Sequence, residues 1–377
     1  MAQTNRFIRF VKRPGDGGPS RDLFEQGEET LAALKPGEFL LRNCLLSMDP
    51  ALVSRMRPES NYADSVTPGE VMHAYGIGQV IETNHPKVKR GEVRLGMIGM
   101  QEFSIQSDPA ASRVINLGLA APEDYLSAVG IAGATAYFTL ADILKPRPGE
   151  TMLISAGASA VGMMAAQLAH QAGCRTVGIV STDDKARALA AEPWYDAALS
   201  YRGKSIAALD AAIGAACPHG VDCYFDNVSG DISEAVLEHY ADFARVAVIG
   251  RLGIAHLSDT RDDAGRRENN VILARRIKKQ GLVLLDYQPR MMEAIVTLAR
   301  ARRAGTLTSR VDVMAGIDAT LDAFFRMLNG ENQGKQLVEL AGIDHAADPA
   351  PRGMGRLLTH PRFPARPLIA AIRAKAA

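Results

Sequence analysis

The sequence has few cysteines, few aromatic residues and no long apolar run. Of its 377 residues, 4 are cysteine and 6% are aromatic. Four irregularly spaced cysteines are too few for the disulfide framework of a secreted protein, which favours a reducing compartment. No segment approaches the roughly 18 consecutive apolar residues of a membrane span, and the basic N-terminus lacks the apolar region of a signal peptide. We therefore expect a cytoplasmic protein.

An excess of charge of either sign is also lacking. Lys and Arg number 43 and Asp and Glu number 42, so the formal net charge is +1. Because no net field attracts polyanions, neither nucleic acid nor a membrane surface is expected as a partner, and a small molecule is. The chain length favours two domains over one.

Two different textures follow each other along the chain. From Arg6 to about Leu126, short extended runs are separated by Pro, Gly and charged clusters, which predicts a strand-rich domain. Residues 127–144 have helical spacing, and strand-like and helix-like runs alternate from Thr151 onward. That alternation predicts an α/β fold with a doubly wound parallel sheet.

Three later segments carry further predictions. Residues 256–270 are polar and without periodicity, which predicts a surface loop. The run GLVLLDY (281–287) predicts one more buried strand. The Pro- and Arg-rich stretch 344–377 has no sustained apolar period and is interpreted as an appended tail.

A nucleotide-binding pattern lies in LISAGASAVGMM (153–164). Gly157 and Gly162 stand where a strand would meet a helix, so backbone N–H groups and the helix dipole could hold a pyrophosphate. The middle position of the G-x-G-x-x-G pattern is Ser159, which limits backbone approach but adds a hydroxyl. A small-residue turn that packs helix on sheet is the alternative.

The next predicted strand bears on the choice between NAD and NADP. It ends in Ser181 and is followed by Lys185, where NAD-selective sites place an acidic residue for the ribose 2′-OH. This pattern favours a 2′-phosphate and hence NADP(H), with Tyr201 and Arg202 as further contacts. Asp183 and Asp184 intervene and leave NAD open as the alternative.

Several motifs in one order are shared with a known family. They are LLSMDP (45–50), GIAGATAYFTL, LKPRPGE, ISAGASAVG, VGIVSTDDK, CPHGVDCYFDNVSGD, GLVLLDY and NGENQGKQLVEL. On these residues the chain resembles the zinc-free medium-chain dehydrogenases/reductases of the leukotriene B4 12-hydroxydehydrogenase, prostaglandin reductase, alkenal reductase and curcumin reductase type. The match covers roughly residues 6–341.

The resemblance implies a domain plan. A GroES-like β-rich catalytic domain would span 1–128 and resume at 306–343, a Rossmann NADP-binding domain would span 129–305, and 344–377 would remain as the tail. Substrate and nicotinamide would meet in the cleft between the two domains. A homodimer is expected on the same ground.

The resemblance also implies cofactor contacts. Gly157 and the run Ser159, Ala160, Val161 and Gly162 would cradle the pyrophosphate. Lys185 and Tyr201 would hold the 2′-phosphate, and Asn227 would approach the nicotinamide ribose. The remaining residues of the implied cofactor pocket are Ile249, Gly250, Leu282, Val283, Leu284 and Asn332.

The chain departs from the family pattern at three positions. Ser159 replaces the usual glycine, which affects the fit of the pyrophosphate. Ala51 replaces a tyrosine that often follows the DP pair, which indicates an altered or larger substrate pocket. A tyrosine that some members carry before the late strand corresponds to about Ala274.

The sequence does not contain a zinc ligand set. Catalytic zinc needs three ligands from Cys, His and carboxylate, and structural zinc needs four clustered cysteines. Cys44 and His73 lie at suggestive places, but Ala74 follows His73 where zinc alcohol dehydrogenases have an acidic residue. Cys217 and Cys223 are too far apart for a redox pair, and Cys223 is interpreted as a buried thiol. No bound metal is expected.

These features favour reduction of an activated C=C bond. Conjugate reduction needs hydride at the β-carbon and a donor for the enolate, and it needs no Lewis acid. Tyr287 and Tyr62 are the candidate catalytic donors, because a phenol donates without ionising at neutral pH. The ribose 2′-OH of the cofactor is the alternative donor.

Other functions remain open at this point. A quinone reductase would share the fold and the cofactor and differ in the acceptor. A metal-dependent alcohol dehydrogenase is a further rival, which stoichiometric zinc would support. A non-catalytic NADPH-binding sensor or interaction protein would keep the fold and use its tail to recruit a partner.

Overall fold

The computed structural model describes residues 3–15, 17–57, 64–254, 257 and 262–349. They form two compact units: the described residues up to 126 together with those from 311 to 349, and those from 127 to 310. The candidate donor Tyr62 and the tail beyond residue 349 lie outside the described residues.

The first unit is built mainly on antiparallel strands. β1 and β2 form a two-stranded sheet, and β3 lies inside a larger one, between β4 and a strand from the end of the chain. Eight of the nine residues of β3 are buried, which accounts for its continuous apolar run FLLRNCLLS. The elements up to residue 126 are β1 (Thr4–Phe10), β2 (Phe24–Thr30), β3 (Phe39–Ser47), α1 (Ala51–Arg55), β4 (Tyr75–Thr83), β5 (Val93–Met97), β6 (Phe103–Gln106), β7 (Ser112–Val114) and α2 (Pro122–Leu126).

The second unit is a parallel six-stranded sheet with helices between its strands. Its strand order is β10-β9-β8-β11-β12-β13, so the chain moves outward from β8 and then returns to β11 on the other side of β8. Its helices and strands are α3 (Ile131–Phe138), a π-helical turn (Thr139–Leu144), β8 (Thr151–Ser155), α4 (Ala160–Gln171), β9 (Arg175–Val180), α5 (Asp183–Ala190), β10 (Ala197–Ser200), α6 (Ile206–Ala216), β11 (Val221–Asp226), α7 (Asp231–Val236), β12 (Tyr240–Val248), α8 (Asn269–Arg275), β13 (Lys278–Gly281), a 3-10 turn (Leu284–Arg290) and α9 (Met291–Arg303).

The chain then returns to the first unit through β14 (Val311–Ala315), α10 (Thr320–Leu328) and β15 (Lys335–Glu339). β15 pairs with β3, and Leu337 lies opposite Ser47. The buried Lys335 donates from Nζ to the carbonyl of Met48 at 3.1 Å and forms an ion pair with Asp49. Two of the shared motifs, LLSMDP and NGENQGKQLVEL, therefore meet on neighbouring strands.

The predicted fold class, a β-rich GroES-like domain with a Rossmann domain, is confirmed by these two sheets. The four cysteines are buried free thiols, which confirms the interpretation of Cys223, a residue of β11. None of the described helices combines the length and apolar character that crossing a bilayer requires.

The prediction of a buried strand over residues 281–287 is wrong. The strand at this place, β13, covers Lys278–Gly281, and all four of its residues are exposed. After Leu282, whose N–H donates to the carbonyl of Val248, the chain turns into the 3-10 turn that ends before α9. The apolar run belongs to a turn at the edge of the sheet, so periodicity alone could not distinguish it from a strand.

The predicted loop over residues 256–270 lies partly outside the described residues. Residues 262–268 carry almost no regular structure, and α8 begins at Asn269, so the last two residues of the predicted loop are helical.

Candidate active site

The predicted cofactor residues of the second unit follow the carboxyl ends of its parallel strands. The two strands where the direction of winding reverses, β8 and β11, are neighbours in the sheet. In doubly wound folds ligands bind outside the carboxyl ends of the strands at this reversal. The structure brings to this edge Gly157, Ser159, Ala160, Val161, Gly162, Lys185, Tyr201, Asn227, Ile249, Gly250, Leu282, Val283 and Leu284.

Residues 156–162, called the phosphate loop below, join β8 to α4 and have the form of an anion-binding turn. Ala156 has a positive φ of 50°, and the N–H of Ser159 donates to its carbonyl at 2.9 Å. Ser159 is the N-cap of α4, and its hydroxyl oxygen accepts from the N–H of Gly162 at 3.1 Å. The amides of Ala160 and Val161 have no hydrogen-bond partner among the described residues. Two N–H groups at a helix N-terminus fit the oxygens of a pyrophosphate.

Glycine is required at position 162 by the closeness of the loop. A Cβ there would lie 2.4 Å from the carbonyl oxygen of Ala156 and 3.0 Å from the Cα of Gly157. Both neighbours are backbone atoms, which cannot move aside without moving the loop. The spacing of Gly157 and Gly162 therefore has a steric cause.

Tyr195 supports this loop and was not predicted from the sequence. Its hydroxyl donates to the carbonyl oxygen of Gly157 at 2.8 Å, and burial raises the pKa of this phenol. A Cβ at Gly178 in β9 would lie 2.8 Å from the Tyr195 ring. A glycine inside a buried strand was the available signal, because it leaves room for such a ring.

Asp226, the last residue of β11, organises the neighbouring loop. It is 2% exposed, and its Oδ1 accepts from the N–H groups of Val228 at 3.1 Å and Ser229 at 2.8 Å. The same oxygen accepts from the hydroxyls of Ser155 at 3.3 Å and Tyr224 at 3.2 Å. A buried carboxylate with this many donors fixes the loop after β11. Sequence analysis did not identify it. Its contact with Ser155 joins residues 71 positions apart, and such a contact leaves no local pattern.

The residues after β11 and β12 interlock at the same edge. The Asn227 side chain donates from Nδ2 to the carbonyl of Ser155 at 2.8 Å, and its N–H donates to the Ser155 hydroxyl at 2.8 Å. The N–H groups of Ile249 and Gly250 donate to the carbonyl of Asp226 at 2.7 Å and 3.2 Å. The ends of β8, β11 and β12 are thus connected by hydrogen bonds through three predicted cofactor residues.

The ends of β9 and β10 form a second polar cluster. The N–H of Tyr201 donates to the carbonyl of Val180 at 3.0 Å, which places Tyr201 beside the start of the segment that carries Lys185. Thr182 is the N-cap of α5 and accepts from the N–H of Lys185 at 3.3 Å. Lys204, which sequence analysis did not consider, donates to the hydroxyl of Ser200 at 2.7 Å. These contacts bring Tyr201, Lys204 and the start of α5, which carries Lys185, to the ends of β9 and β10.

Asp183 and Asp184, the two acids for which NAD remained the alternative cofactor, both form contacts within the chain. Asp183 accepts from the hydroxyl of Ser200 and lies 3.7 Å from Nζ of Lys204. These two contacts, the hydrogen bond first, lower the pKa of Asp183. Asp184 forms an ion pair with Arg187 one turn along α5.

The candidate donor Tyr287 lies in the 3-10 turn that follows β13. Its ring stacks on Phe138 with centroids 4.4 Å apart and an interplanar angle of 25°. The guanidinium of Arg290 lies 5.5 Å from the Tyr287 ring centroid and 4.9 Å from that of Phe138. The Tyr287 hydroxyl has no hydrogen-bond partner among the described residues, so it can donate to a ligand.

Two carboxylates hold that guanidinium. Arg290 donates to Asp142 through Nη1 and Nη2, and through Nε to Oε2 of Glu293 at 3.2 Å. Oε1 of Glu293 also accepts from the buried hydroxyl of Tyr137 at 2.8 Å. Burial raises the pKa of Tyr287, the charge of Asp142 raises it further, and Arg290 lowers it.

Asn332 belongs to the first unit, whereas the other predicted cofactor residues belong to the second. There its side chain donates to the carbonyl of Gly334 at 2.6 Å.

Comparison with known proteins gives consistent matches over both units. Residues 6–114 match the family model described as the N-terminal domain of oxidoreductase, and residues 160–300 match the model described as zinc-binding dehydrogenase. The NADPH-dependent curcumin reductase of Escherichia coli (strain K12) is 30% identical over 347 residues, which cover 91% of this chain and 99% of that protein. The NADP(+)-dependent 2-alkenal reductase of Nicotiana tabacum is 31% identical over 80% of this chain and 87% of its own length.

The chain belongs to the medium-chain dehydrogenase/reductase family. The membership expected from the shared motifs is thereby confirmed. Among solved structures, CurA in complex with NADPH from Vibrio vulnificus superposes with a TM-score of 0.80 at 28% identity, covering 89% of this chain and 99% of that one.

The described residues of this medium-chain reductase contain no cluster of three or more His, Cys, Asp or Glu side chains that could hold a metal ion. Burial raises the pKa of Cys44 to about 11, so this thiol is protonated at neutral pH. Burial lowers the pKa of His73, whose Nδ1 is buried and has no hydrogen-bond partner in the described part of the chain.

Proposed function

We propose that this protein is an NADPH-dependent reductase of the C=C bond of α,β-unsaturated ketones or aldehydes. The observation that carries the proposal is the half-buried phenol of Tyr287. It lies a few residues beyond the carboxyl end of β13, next to the predicted cofactor segment 282–284, with its hydroxyl available to a ligand. The alkenal and curcumin reductases among the relatives support the same reaction class.

Two parts of the candidate site support NADPH as the cofactor: the start of α4 and the ends of β9 and β10. The free amides of Ala160 and Val161 offer donors to a pyrophosphate. At the ends of β9 and β10, Lys185 and Lys204 would supply the cations that a 2′-phosphate needs, while Asp183 accepts a hydrogen bond from the Ser200 hydroxyl. NADPH would supply a hydride, and the protein would supply its orientation.

Tyr287 would act on the oxygen of the enolate that forms when hydride reaches the β-carbon. Because burial raises the pKa of this phenol above its ordinary value of 10, it stays protonated at neutral pH and can donate a hydrogen bond. Its contribution is present below that pKa and is lost as the pH rises through it. Tyr62 is a second proposed donor, and the ribose hydroxyl of the cofactor could replace either one.

The test is NADPH oxidation by the purified protein across enones, enals, quinones and saturated ketones, with NADH in parallel. Turnover of enones and enals with a preference for NADPH is expected. Tyr287→Phe should lower kcat for an enone about tenfold or more while the Kd for NADPH is unchanged. Turnover of quinones alone would contradict the proposed acceptor, and tight NADPH binding without any turnover would indicate a sensor.

A homodimer is proposed from the outer edge of the parallel sheet. β13 pairs with β12 on one side, and its four residues are exposed. Leu273 of α8 is 78% exposed and Phe243 of β12 is 63% exposed. An exposed edge strand beside apolar side chains is a surface on which a second copy can extend the sheet around a two-fold axis.

The dimer is tested by the mass of the protein in solution. The unchanged chain should have twice the monomer mass, and the Phe243→Glu, Leu273→Glu double variant should have the monomer mass. Val114→Glu is the matched control, because Val114 is 45% exposed on the first unit. A monomer for the unchanged chain at micromolar concentration would contradict the proposal.

The cytoplasm is proposed as the compartment on the basis of the cysteines. All four are free thiols in buried positions. Thiols persist in this form where the compartment is reducing.

A further inference from the structure

The turn that carries Tyr287 has little of its own to hold it in place. None of the residues of Leu284–Arg290 is buried, and the turn contains Pro289, which has no N–H to donate. Yet a proton donor must be held at a defined position to act on a bound substrate. The support for Tyr287 must therefore come from outside the turn's own backbone.

Two contacts on the ring supply that support. The first contact is the stack on Phe138, which is fully buried at the end of α3. The other is the guanidinium of Arg290, which lies within cation–π distance of both rings. The Arg290 guanidinium therefore contacts both aromatic rings of the stack.

Arg290 is itself fixed from two directions. Asp142, in the π-helical turn after α3, accepts from both of its terminal nitrogens, and Glu293, in the first turn of α9, accepts from Nε. Glu293 is in turn held by the Tyr137 hydroxyl. A planar guanidinium bonded at three nitrogens cannot rotate freely, so its position over the rings is defined.

We infer that Arg290, held by Asp142 and Glu293, is a positioning residue that fixes the Tyr287 phenol for donation to the substrate. This inference rests on the proposed role of Tyr287. A lysine could keep the charge, but it lacks the planar fork that bonds to both carboxylates.

The inference predicts coupling between the two side chains. Arg290→Met should lower kcat for an enone about fivefold to tenfold, without changing the Kd for NADPH, because no contact of Arg290 lies at the phosphate loop. Arg290→Lys should recover part of that loss. When Tyr287 is already Phe, adding Arg290→Met should lower kcat less than about twofold.

The experiment is a double-mutant cycle on kcat, with NADPH affinity and thermal unfolding measured for each variant. Arg303→Met, on the exposed end of the same helix α9, is the matched control and should leave kcat unchanged. Asp142→Asn is the second variant: it removes a carboxylate from Arg290 without removing either ring contact, and it should lower kcat in the same Tyr287-dependent way.

Three other outcomes would each contradict part of this inference. Equal losses from Arg290→Met with and without Tyr287 would overturn the positioning role and leave the proposed function standing. A loss of NADPH affinity or of thermal stability that accounts for the fall in kcat would assign Arg290 to the fold alone. If Tyr287→Phe leaves kcat unchanged while enones are still reduced, the donor assignment fails, and this inference fails with it.

Discussion

The phosphate loop and the turn that carries Tyr287 are held by different kinds of contact. Buried polar groups hold the loop, with Tyr195 bonded to Gly157 and Asp226 bonded to the neighbouring segment. The Tyr287 turn depends on a ring stack and a partly exposed guanidinium. Changes at the loop should therefore alter stability and NADPH affinity together, whereas changes at the turn should alter turnover.

The largest effect is expected at Asp226. Asp226→Asn replaces one acceptor oxygen by an NH2 group that would face buried donors, so we expect a loss of about 3 kcal/mol in the free energy of unfolding. Urea denaturation measures it, and NADPH affinity should fall as well. Tyr224→Phe removes a single one of these hydrogen bonds and should cost about 1 kcal/mol. Equal losses for the two variants would contradict the organising role of the carboxylate.

The next effect is expected at Phe138, whose ring stacks on Tyr287. Phe138→Leu removes the stacked ring, so kcat for an enone should fall about fivefold while the Kd for NADPH is unchanged. Steady-state kinetics and a fluorescence titration of NADPH measure the two quantities. Phe324→Leu, at a fully buried position of the first unit, is the control for a lost core ring. If Phe138→Leu also lost NADPH affinity, the claim that changes at the Tyr287 turn alter turnover alone would be contradicted.

A smaller effect is expected at Tyr195. Tyr195→Phe removes the hydroxyl that bonds to Gly157, so NADPH affinity should fall about fivefold, corresponding to a lost hydrogen bond of about 1 kcal/mol. Tyr240→Phe is the control, since the buried Tyr240 hydroxyl has no hydrogen bond among the residues that the structure describes. The role assigned to Tyr195 is wrong if both variants bind NADPH like the unchanged protein.

The smallest effect is expected at Ser159. It tests whether the N–H of Gly162 serves the serine hydroxyl or a bound pyrophosphate. The Ser159 hydroxyl occupies the N–H of Gly162, which a bound pyrophosphate could otherwise use. Ser159→Gly costs a few tenths of a kcal/mol as a helix cap and frees that donor, so NADPH should bind about twofold more tightly. Ser205→Gly makes the same change at the N-cap of α6 and should leave NADPH binding unaltered. Weaker binding by Ser159→Gly would show that the serine serves the cofactor.

The fold was largely predictable because its signals are local. Alternating strand-like and helix-like runs predicted the parallel sheet, and the spacing of Gly157 and Gly162 predicted the phosphate loop, whose geometry requires Gly162. The run 281–287 was assigned wrongly, because an apolar stretch of that length is compatible with a strand or a turn.

The supporting residues were not predictable, because their partners are distant in the sequence. Asp226 bonds to Ser155, 71 residues away, and Tyr195 bonds to Gly157, 38 residues away. Arg290 bonds to Asp142 across 148 residues. The sequence offers no local pattern for such contacts, so Tyr287 could be proposed as a donor while the groups that hold it could not.

The most direct test of the account follows the hydride. The protein would be given an enone and NADPH carrying deuterium at the transferable position of the nicotinamide ring, and the product would be analysed by NMR and mass spectrometry. We predict a saturated ketone with deuterium at the former β-carbon and a solvent-derived hydrogen at the α-carbon. An allylic alcohol with deuterium at the carbonyl carbon, or no label in any product, would contradict the assignment as a C=C reductase.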